Sequence, residues 1–247
     1  MKFEDLKKFT QARVGMGHAG GAIKTSQWLS FAYEHAAAVD AVHIPWEFPK
    51  NPAFQFDVLK SNIADRREYL QRPDLGRSLA EESGNDLKKL KLKGDILIVV
   101  SNGLSSFAVH NHLDKYLKYL LSDIKTQGLT VLGNRIFFVP NARVALIDQI
   151  GEILKPKISL MIIGERPGLS SPDSLACYLT YKPKKGLSDA NRNCISNIRP
   201  PFGLSYKEAS LKTMYLLEEA LKRKLSGVNL KDESDNLEYE TKNQIDT

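Results

Sequence analysis

The spacing of apolar residues divides the chain into a first part with helical periodicity and a second part in which strands and helices alternate. In residues 3–13, apolar side chains recur at every third position, which predicts a short amphipathic helix. Similar spacing predicts further helices over 27–39, 56–71 and 77–93. We therefore expect residues 1–93 to form a helical N-terminal lobe.

The pattern changes at Asp95, where mostly apolar runs, the first of them unbroken over 96–100, begin to alternate with amphipathic stretches. Such runs are typical of strands buried on both faces of a parallel sheet. Strands are predicted over 96–100, 129–132, 135–139, 158–163 and 175–181, and helices from about 107 to 125 and over 144–154 and 206–225. The predicted fold class is α/β, in which residues 94–230 form a doubly wound, Rossmann-like and mainly parallel sheet. An acidic tail, 231–247, follows and is expected to be disordered.

One predicted strand ends in a loop that is poorly suited to core packing. The run 158–163 is followed by Gly164-Glu165-Arg166-Pro167-Gly168, in which an acid and a base stand between glycines and a proline. Ligands of open α/β sheets bind at the carboxyl ends of the strands. Because polar loops at that edge often carry function, Glu165 and Arg166 are candidate binding residues.

The composition is that of a globular protein. Of 247 residues, 42% are hydrophobic and 26% charged, which excludes a fibrous or fully disordered chain. The formal net charge is +6, although 231–247 hold six acids against two lysines. The basic residues are scattered without aromatic positions that could stack on bases, so we expect no nucleic-acid binding. The charged start and the short apolar runs predict neither a signal peptide nor a membrane span, and a cytoplasmic location is expected.

Two local patterns imitate binding motifs but lack the context that those motifs require. Residues 15–20 are a literal G-x-G-x-x-G, yet no predicted strand precedes them, as a dinucleotide site would need. His110 and His112 stand two positions apart on a predicted helix, so they do not converge as metal ligands would. Cys177 and Cys194 form neither a CxxC pair nor a disulfide framework. We expect no metal site.

A series of blocks between about residue 5 and residue 230 forms an ordered pattern. The blocks are Ala12-Arg13-Val14 with Gly17 and Ala19-Gly20, Arg72-Pro73-Asp74-Leu75-Gly76-Arg77, Ser101-Asn102-Gly103-Leu104-Ser105, Asp148-Gln149-Ile150-Gly151-Glu152-Ile153-Leu154, Gly164-Glu165-Arg166-Pro167-Gly168-Leu169, Asn193-Cys194-Ile195-Ser196-Asn197-Ile198 and Ser226-Gly227. In this order and with these spacings, the sequence resembles the light (small) chain of ethanolamine ammonia-lyase, an adenosylcobalamin-dependent enzyme.

The resemblance implies a division of labour between two kinds of chain. In that family a large chain, a (β/α)8 barrel, holds ethanolamine and acts on it, while the small chain helps to bind adenosylcobalamin at their interface. The reaction is a radical elimination that gives acetaldehyde and ammonia, and the cofactor carries the difficult chemistry. The resemblance therefore implies a subunit of a carbon–nitrogen lyase without catalytic residues of its own, a large-subunit partner and a higher hetero-oligomer.

The resemblance also places the cobalamin contacts on Val144, Glu165 and Cys194. Val144 would offer a backbone amide near a helix N-terminus. Glu165 would accept hydrogen bonds from the amide side chains around the corrin ring. Cys194 would be a small packing contact or a backbone donor rather than a cobalt ligand. Taken alone, Val144 is typical of a core residue and Cys194 of a buried small hydrophobe, whereas Glu165 in its glycine and proline frame already indicates a site.

Two departures from related families affect these expectations. The chain has no D-x-H-x-x-G motif, by which another B12 family replaces the lower base of the cofactor, so base-on binding is expected. Many relatives carry a longer N-terminal extension associated with bacterial microcompartments, whereas this sequence starts at the matched body. A location in a microcompartment lumen is therefore left open.

Two other functions compete with this interpretation. The first is a self-contained small-molecule-binding α/β enzyme that uses the loops of Ser101 and Glu165, although no histidine lies beside either loop in the sequence. The second is a basic nucleic-acid binder, whose binding to random duplex would be sensitive to salt.

Overall fold

The structure is a computed structural model that describes Leu6, Thr10, Val14 and residues 16–47 and 53–234. Its strands are β1 (His18–Ala19), β2 (Ala22–Ile23), β3 (Phe56–Val58), β4 (Ile96–Ser101), β5 (Val131–Phe138), β6 (Ile158–Gly164), β7 (Leu175–Tyr181) and β8 (Arg192–Ile198). Its helices are α1 (Thr25–His43), α2 (Arg66–Gln71), α3 (Glu81–Lys89), α4 (Ser106–Thr126), α5 (Leu146–Leu154) and α6 (Tyr206–Arg223). Within these ranges, no helix combines the length and apolarity needed to cross a bilayer.

Six of the strands form one sheet in the order β3-β5-β4-β6-β7-β8. The first four run parallel, while β7 and β8 are antiparallel to their neighbours, so the sheet is mainly parallel, as predicted. The chain leaves β4 for β5 on one side and returns to β6 on the other. This reversal creates a switch point between the carboxyl ends of β4 and β6, which is where ligands bind in such sheets.

Helices cover both faces of the sheet, because alternate residues of the central strands point to opposite sides. On one face, Ile98 packs in a cluster with Leu117 of α4 and Leu217 of α6. On the other face, Val99 packs with Leu87 of α3 and with residues of α5. The α/β fold class is therefore confirmed.

The first part of the chain differs from its prediction. The helix predicted over 56–71 is wrong, since Phe56–Val58 form the edge strand β3 and only Arg66–Gln71 are helical. β3 exists because it pairs with β5, a contact distant in sequence that helical spacing does not reveal. The N-terminal lobe therefore lends a strand to the main sheet. The domain division between residues 93 and 94 stays a prediction.

Other boundaries shift by a few residues. The strands predicted over 129–132 and 135–139 are one strand, which passes through Gly133 and Asn134 at φ of 60° and 54°. Part of the G-x-G-x-x-G segment forms the hairpin β1–β2 instead of joining a strand to a helix. The helix predicted over 3–13 and most of the tail 231–247 lie outside the described residues.

A buried ion pair joins α5 to β8. Both terminal nitrogens of Arg192 donate to the two carboxylate oxygens of Asp148, each at 2.7 Å. The side chains are 1% and 4% exposed. Since neither side chain reaches water, Asp148 and Arg192 compensate one another, and the exposed Asp189 lies 3.5 Å from Arg192 Nε as a second counter-charge.

We predict that Asp148→Asn destabilises the chain by about 3 kcal/mol, because it removes the buried carboxylate and leaves the exposed Asp189, 3.5 Å from Arg192 Nε, as the counter-charge. The matched control is Asp57→Asn, which breaks a pair with Arg135 whose side chains are 41% and 44% exposed. That change should cost less than about 1 kcal/mol. Urea unfolding of both variants measures the difference, and equal midpoints would contradict the prediction.

Candidate functional site

A cavity of about 470 Å³ opens at the carboxyl edge of the sheet, beside the switch point between β4 and β6. It is lined by Tyr69, Leu104, Arg143, Val144, Ile163, Gly164, Glu165, Arg166, Ser171, Ser174, Tyr178, Ser196 and Asn197. We call it the edge cavity. The loop after β6, in which the sequence indicates binding residues, forms part of its wall.

Two glycines let the loops after β4 and β6 come into backbone contact. Gly103 has a φ of +51°, and a Cβ on it would lie 2.3 Å from the carbonyl oxygen of Gly164. A Cβ on Gly164 would in turn lie 2.1 Å from the carbonyl oxygen of Ser105. The amide of Leu104 donates to the Gly164 oxygen at 3.0 Å. Because neither position has room for a side chain, the two loops form a continuous floor.

Polar side chains at the end of β4 hold the loop that follows β5. The hydroxyl of Ser101 accepts a hydrogen bond from the amide of Ala142 at 3.1 Å. The side-chain oxygen of Asn102 accepts one from the amide of Asn141 at 2.7 Å. These bonds position Val144 in the cavity wall. Ser101 is fully buried and does not line the cavity, which argues against its use as a nucleophile.

Val144 lines the edge cavity. It does not begin the helix, although the sequence predicted that it would. Helix α5 starts two residues later, at Leu146, and Val144 is half-buried rather than a core residue. Among the described residues, no group accepts a hydrogen bond from the Val144 amide. This amide is therefore an unused donor near the positive end of the α5 dipole.

Glu165 is half-buried and connects the loop after β6 to β8. One carboxylate oxygen accepts a hydrogen bond from the Ser196 hydroxyl at 2.5 Å, and the other accepts one from the Asn197 amide at 2.9 Å. Each oxygen retains acceptor capacity, because a carboxylate offers about four lone-pair sites. The arrangement fixes the side chain and leaves it able to accept donors from the cavity.

Cys194 lies on β8 opposite Tyr178, a lining residue, and is not itself in the cavity wall. The residue is exposed, so it is not a buried small hydrophobe. The pKa of the thiol is nevertheless raised to about 11, chiefly because neighbouring protein atoms remove water from it; a hydrogen bond with Tyr178 acts against this rise and the charge of Glu165 contributes to it. At neutral pH the group is therefore a thiol, whereas a metal ligand would be a thiolate.

The far end of the same loop is anchored by Asp173. Its carboxylate accepts hydrogen bonds from His112 at 3.2 Å, Arg199 at 2.6 Å and Asn111 at 3.0 Å. The His112 bond is the largest of the effects that hold the pKa of Asp173 well below its ordinary value, although burial acts against them. His112 is thus part of a structural network. In the described part of the chain, no group of His, Cys, Asp and Glu is arranged to hold a metal ion.

Sequence reasoning did not identify Tyr69 and Arg143 as site residues. The Arg143 guanidinium stacks on the Tyr69 ring, with its carbon 4.2 Å from the ring centroid. The Arg143 amide donates to the Gly76 carbonyl at 2.7 Å. Gly76 belongs to the block 72–77, which therefore packs against the loop that carries Arg143. The block pointed to this part of the chain but did not identify Arg143 itself.

Comparison with known proteins shows the family of this chain. The model of the ethanolamine ammonia-lyase light chain family matches residues 1–231. The ethanolamine ammonia-lyase small subunit of Pseudomonas fluorescens (strain SBW25) is 44% identical over 241 residues, which cover 93% of this chain and 86% of the relative. The small subunits of Azotobacter vinelandii and Pseudomonas putida (strain GB-1) are 44% and 45% identical, over 94% and 93% of this chain and 89% and 87% of theirs. The chain belongs to the ethanolamine ammonia-lyase light chain family.

Proposed function

We propose that this chain is the small subunit of an adenosylcobalamin-dependent ethanolamine ammonia-lyase and binds part of the cofactor at its interface with the large, catalytic subunit. The observation that carries the proposal is the edge cavity, where Val144 and Glu165 lie in one wall at the switch point of the sheet. Membership of the family supports the reaction, and the cavity is where we expect this chain to contact the cofactor.

The groups in the cavity suit the edge of a corrinoid, which combines an apolar macrocycle with amide side chains. Leu104, Ile163 and Tyr178 provide apolar wall. Glu165 offers acceptors and the Val144 amide a donor. A complete cobalamin is larger than this cavity, so the remainder of the cofactor would face the partner chain. Cys194, which lies beside the cavity wall and not in it, would contact the part of the cofactor that faces the partner chain.

When bound, the cofactor supplies a radical by homolysis of its cobalt–carbon bond. The residues of this chain bind and orient it. Glu165 is held by Ser196 and Asn197 before any ligand arrives, so no side-chain freedom is lost on binding. The apolar wall excludes water from the bound edge. We assign hydrogen abstraction and the handling of ethanolamine to the large chain.

An exposed apolar surface lies next to the cavity, and we expect the large subunit to bind there. Tyr33 and Phe202 are 77% and 64% exposed, and together with Leu169 they line a second hollow of about 420 Å³. The loop after β6 lines both hollows, through Glu165 in the first and Leu169 in the second. A partner that covers a cofactor in the edge cavity would therefore also cover this apolar surface.

The self-contained enzyme is less well supported. Its candidate nucleophile, Ser101, is buried and already bonded to backbone groups. A higher hetero-oligomer rests on the family resemblance alone and stays a prediction, and a location in a microcompartment lumen stays open.

Reconstitution tests the proposed function. We expect the purified chain to release no acetaldehyde from ethanolamine, and we expect release to require the large chain, this chain and adenosylcobalamin together. Cobalamin absorbance and acetaldehyde production provide the two measurements. Full activity of the large chain alone would refute the proposal, and turnover by this chain alone would favour the self-contained enzyme.

We predict that Glu165→Ala weakens cobalamin binding by the assembled complex about tenfold or more, since it removes charge-assisted hydrogen bonds. Association of the two chains should change less, because Glu165 lies in the cavity wall and not on the exposed apolar surface. The matched control is Glu152→Ala on α5, an exposed acid outside the cavity. Equilibrium titration of cobalamin and analytical gel filtration separate the two effects; an equal loss in both contradicts the prediction.

We also predict that the double variant Tyr33→Ser, Phe202→Ser weakens association with the large chain by about tenfold or more, since exposed aromatic residues are frequent anchors of interfaces. Tyr119→Ser is the control, because Tyr119 is 45% exposed on α4 but lies several turns from the end of that helix nearest the cavity. Sedimentation or surface-binding measurements give both dissociation constants. Similar constants for the two variants would exclude this surface from the interface.

A further inference from the structure

Two arginines beside the edge cavity have no acidic partner in the described part of the chain. Arg66 donates to the carbonyl oxygens of Val42 at 2.8 Å and Gly103 at 2.5 Å, and to the side-chain oxygen of Asn141 at 3.1 Å. Arg143 donates to the carbonyl oxygen of Tyr69 at 3.1 Å. All of these acceptors are neutral. Both guanidinium charges therefore lack a counter-charge from the described residues.

The two guanidinium groups share one aromatic ring. Their central carbons lie 5.0 Å and 4.2 Å from the centroid of Tyr69, for Arg66 and Arg143 respectively. Burial lowers the pKa of Arg66, and the charge of Arg143 lowers it further. Arg66 Nη2 and Arg143 Nε are also buried without an acceptor. Two like charges held this close and partly out of water are stabilised when an anion joins them.

Only Arg143 reaches the edge cavity. It lines the wall next to Val144, whose amide has no acceptor among the described residues. Arg143 Nη1 likewise has no described acceptor. Arg66 is not a lining residue and stands behind Tyr69 as a second cation. The donors available to a ligand are thus a guanidinium nitrogen and a neighbouring backbone amide near the N-terminus of α5.

The rest of the wall does not neutralise this charge. Glu165 is the acidic residue of the lining, and Ser196 and Asn197 each donate to one of its oxygens. Arg166, a further lining residue, is exposed and forms no ion pair with any residue that the structure describes. The cavity therefore combines two lining arginines with one carboxylate, and it favours an anionic ligand group over a neutral one.

We infer that Arg143 and the Val144 amide form an anion subsite that takes a phosphodiester, with Arg66 as a positioning residue. This inference rests on the proposed function, in which the ligand is a cobalamin. A cobalamin carries one phosphodiester, in the nucleotide tail that bears its lower base. Guanidinium groups suit phosphate oxygens because they present planar, paired donors. The subsite would thus bind the nucleotide tail, while Glu165 binds amide donors of the macrocycle.

The test compares two ligands of the assembled complex of both chains. Cobalamin carries the phosphodiester, whereas cobinamide has the same macrocycle without the nucleotide tail. For Arg143→Gln we expect cobalamin to bind about 10 to 100 times more weakly, the range for loss of a charged hydrogen bond. Cobinamide affinity should stay within about threefold, because that ligand does not reach the subsite. Arg67→Gln, which removes an exposed arginine from the same helix as Arg66, should change neither affinity.

A second arm needs no variant and covers the case in which Arg143→Gln fails to assemble. Inorganic phosphate, at constant ionic strength, should weaken the binding of cobalamin to the wild-type complex and leave cobinamide binding unchanged. If phosphate weakens the binding of both ligands, the subsite binds a free anion and not the nucleotide tail, and the inference is overturned. Equal effects of Arg143→Gln on both ligands, or no effect on either, would also overturn it.

These outcomes are distinct from failure of the proposed function. If neither ligand binds the wild-type complex, the chain does not form a cobalamin site, and the proposed function falls together with this inference. If cobalamin binds and Arg143→Gln leaves its affinity unchanged, only the phosphodiester subsite is overturned. Titration by absorbance reports binding directly and does not depend on turnover.

Discussion

The site depends on the close backbone contact between the ends of the two central strands. Gly103 and Gly164 let the loops after β4 and β6 touch at distances that no Cβ permits. Because these strands flank the switch point, this contact closes the floor of the edge cavity instead of leaving a gap between the loops. Ser101 and Asn102 then fix the loop after β5 from the same strand end. One short segment, 101–105, therefore sets the positions of the loops after β5 and β6.

That geometry also explains the charge of the cavity. Arg66 donates to the carbonyl of Gly103, within the same segment, so the packing of the floor holds one cation beside Tyr69. Tyr69 donates its hydroxyl to the carbonyl of Ala142, which places the ring under the loop that carries Arg143. The backbone carbonyls and the ring stabilise both guanidinium groups without neutralising them. The contacts that form the floor of the cavity therefore also hold the two positive charges beside it.

The sequence predicted the parts of the fold that depend on local pattern. The run 96–100 is wholly apolar and the run 158–163 is apolar except for Ser159, and short runs of this kind are typical of strands buried on both faces. β3 could not be predicted in this way, because its three residues fit a helical spacing and become a strand only by pairing with β5. Glu165 was identifiable from its glycine and proline frame. Arg66 and Arg143 were not, since residues 77 positions apart converge only through Tyr69.

The distribution of satisfied and unsatisfied groups indicates how the chain is used. Along both faces of the sheet, strand residues such as Ile98 and Val99 are fully buried by helices of the same chain. At the carboxyl edge, the Val144 amide and Arg143 Nη1 have no described acceptor, and Tyr33 and Phe202 expose their rings nearby. Open donors and exposed rings thus lie together at this edge, where a ligand and a partner would add stability.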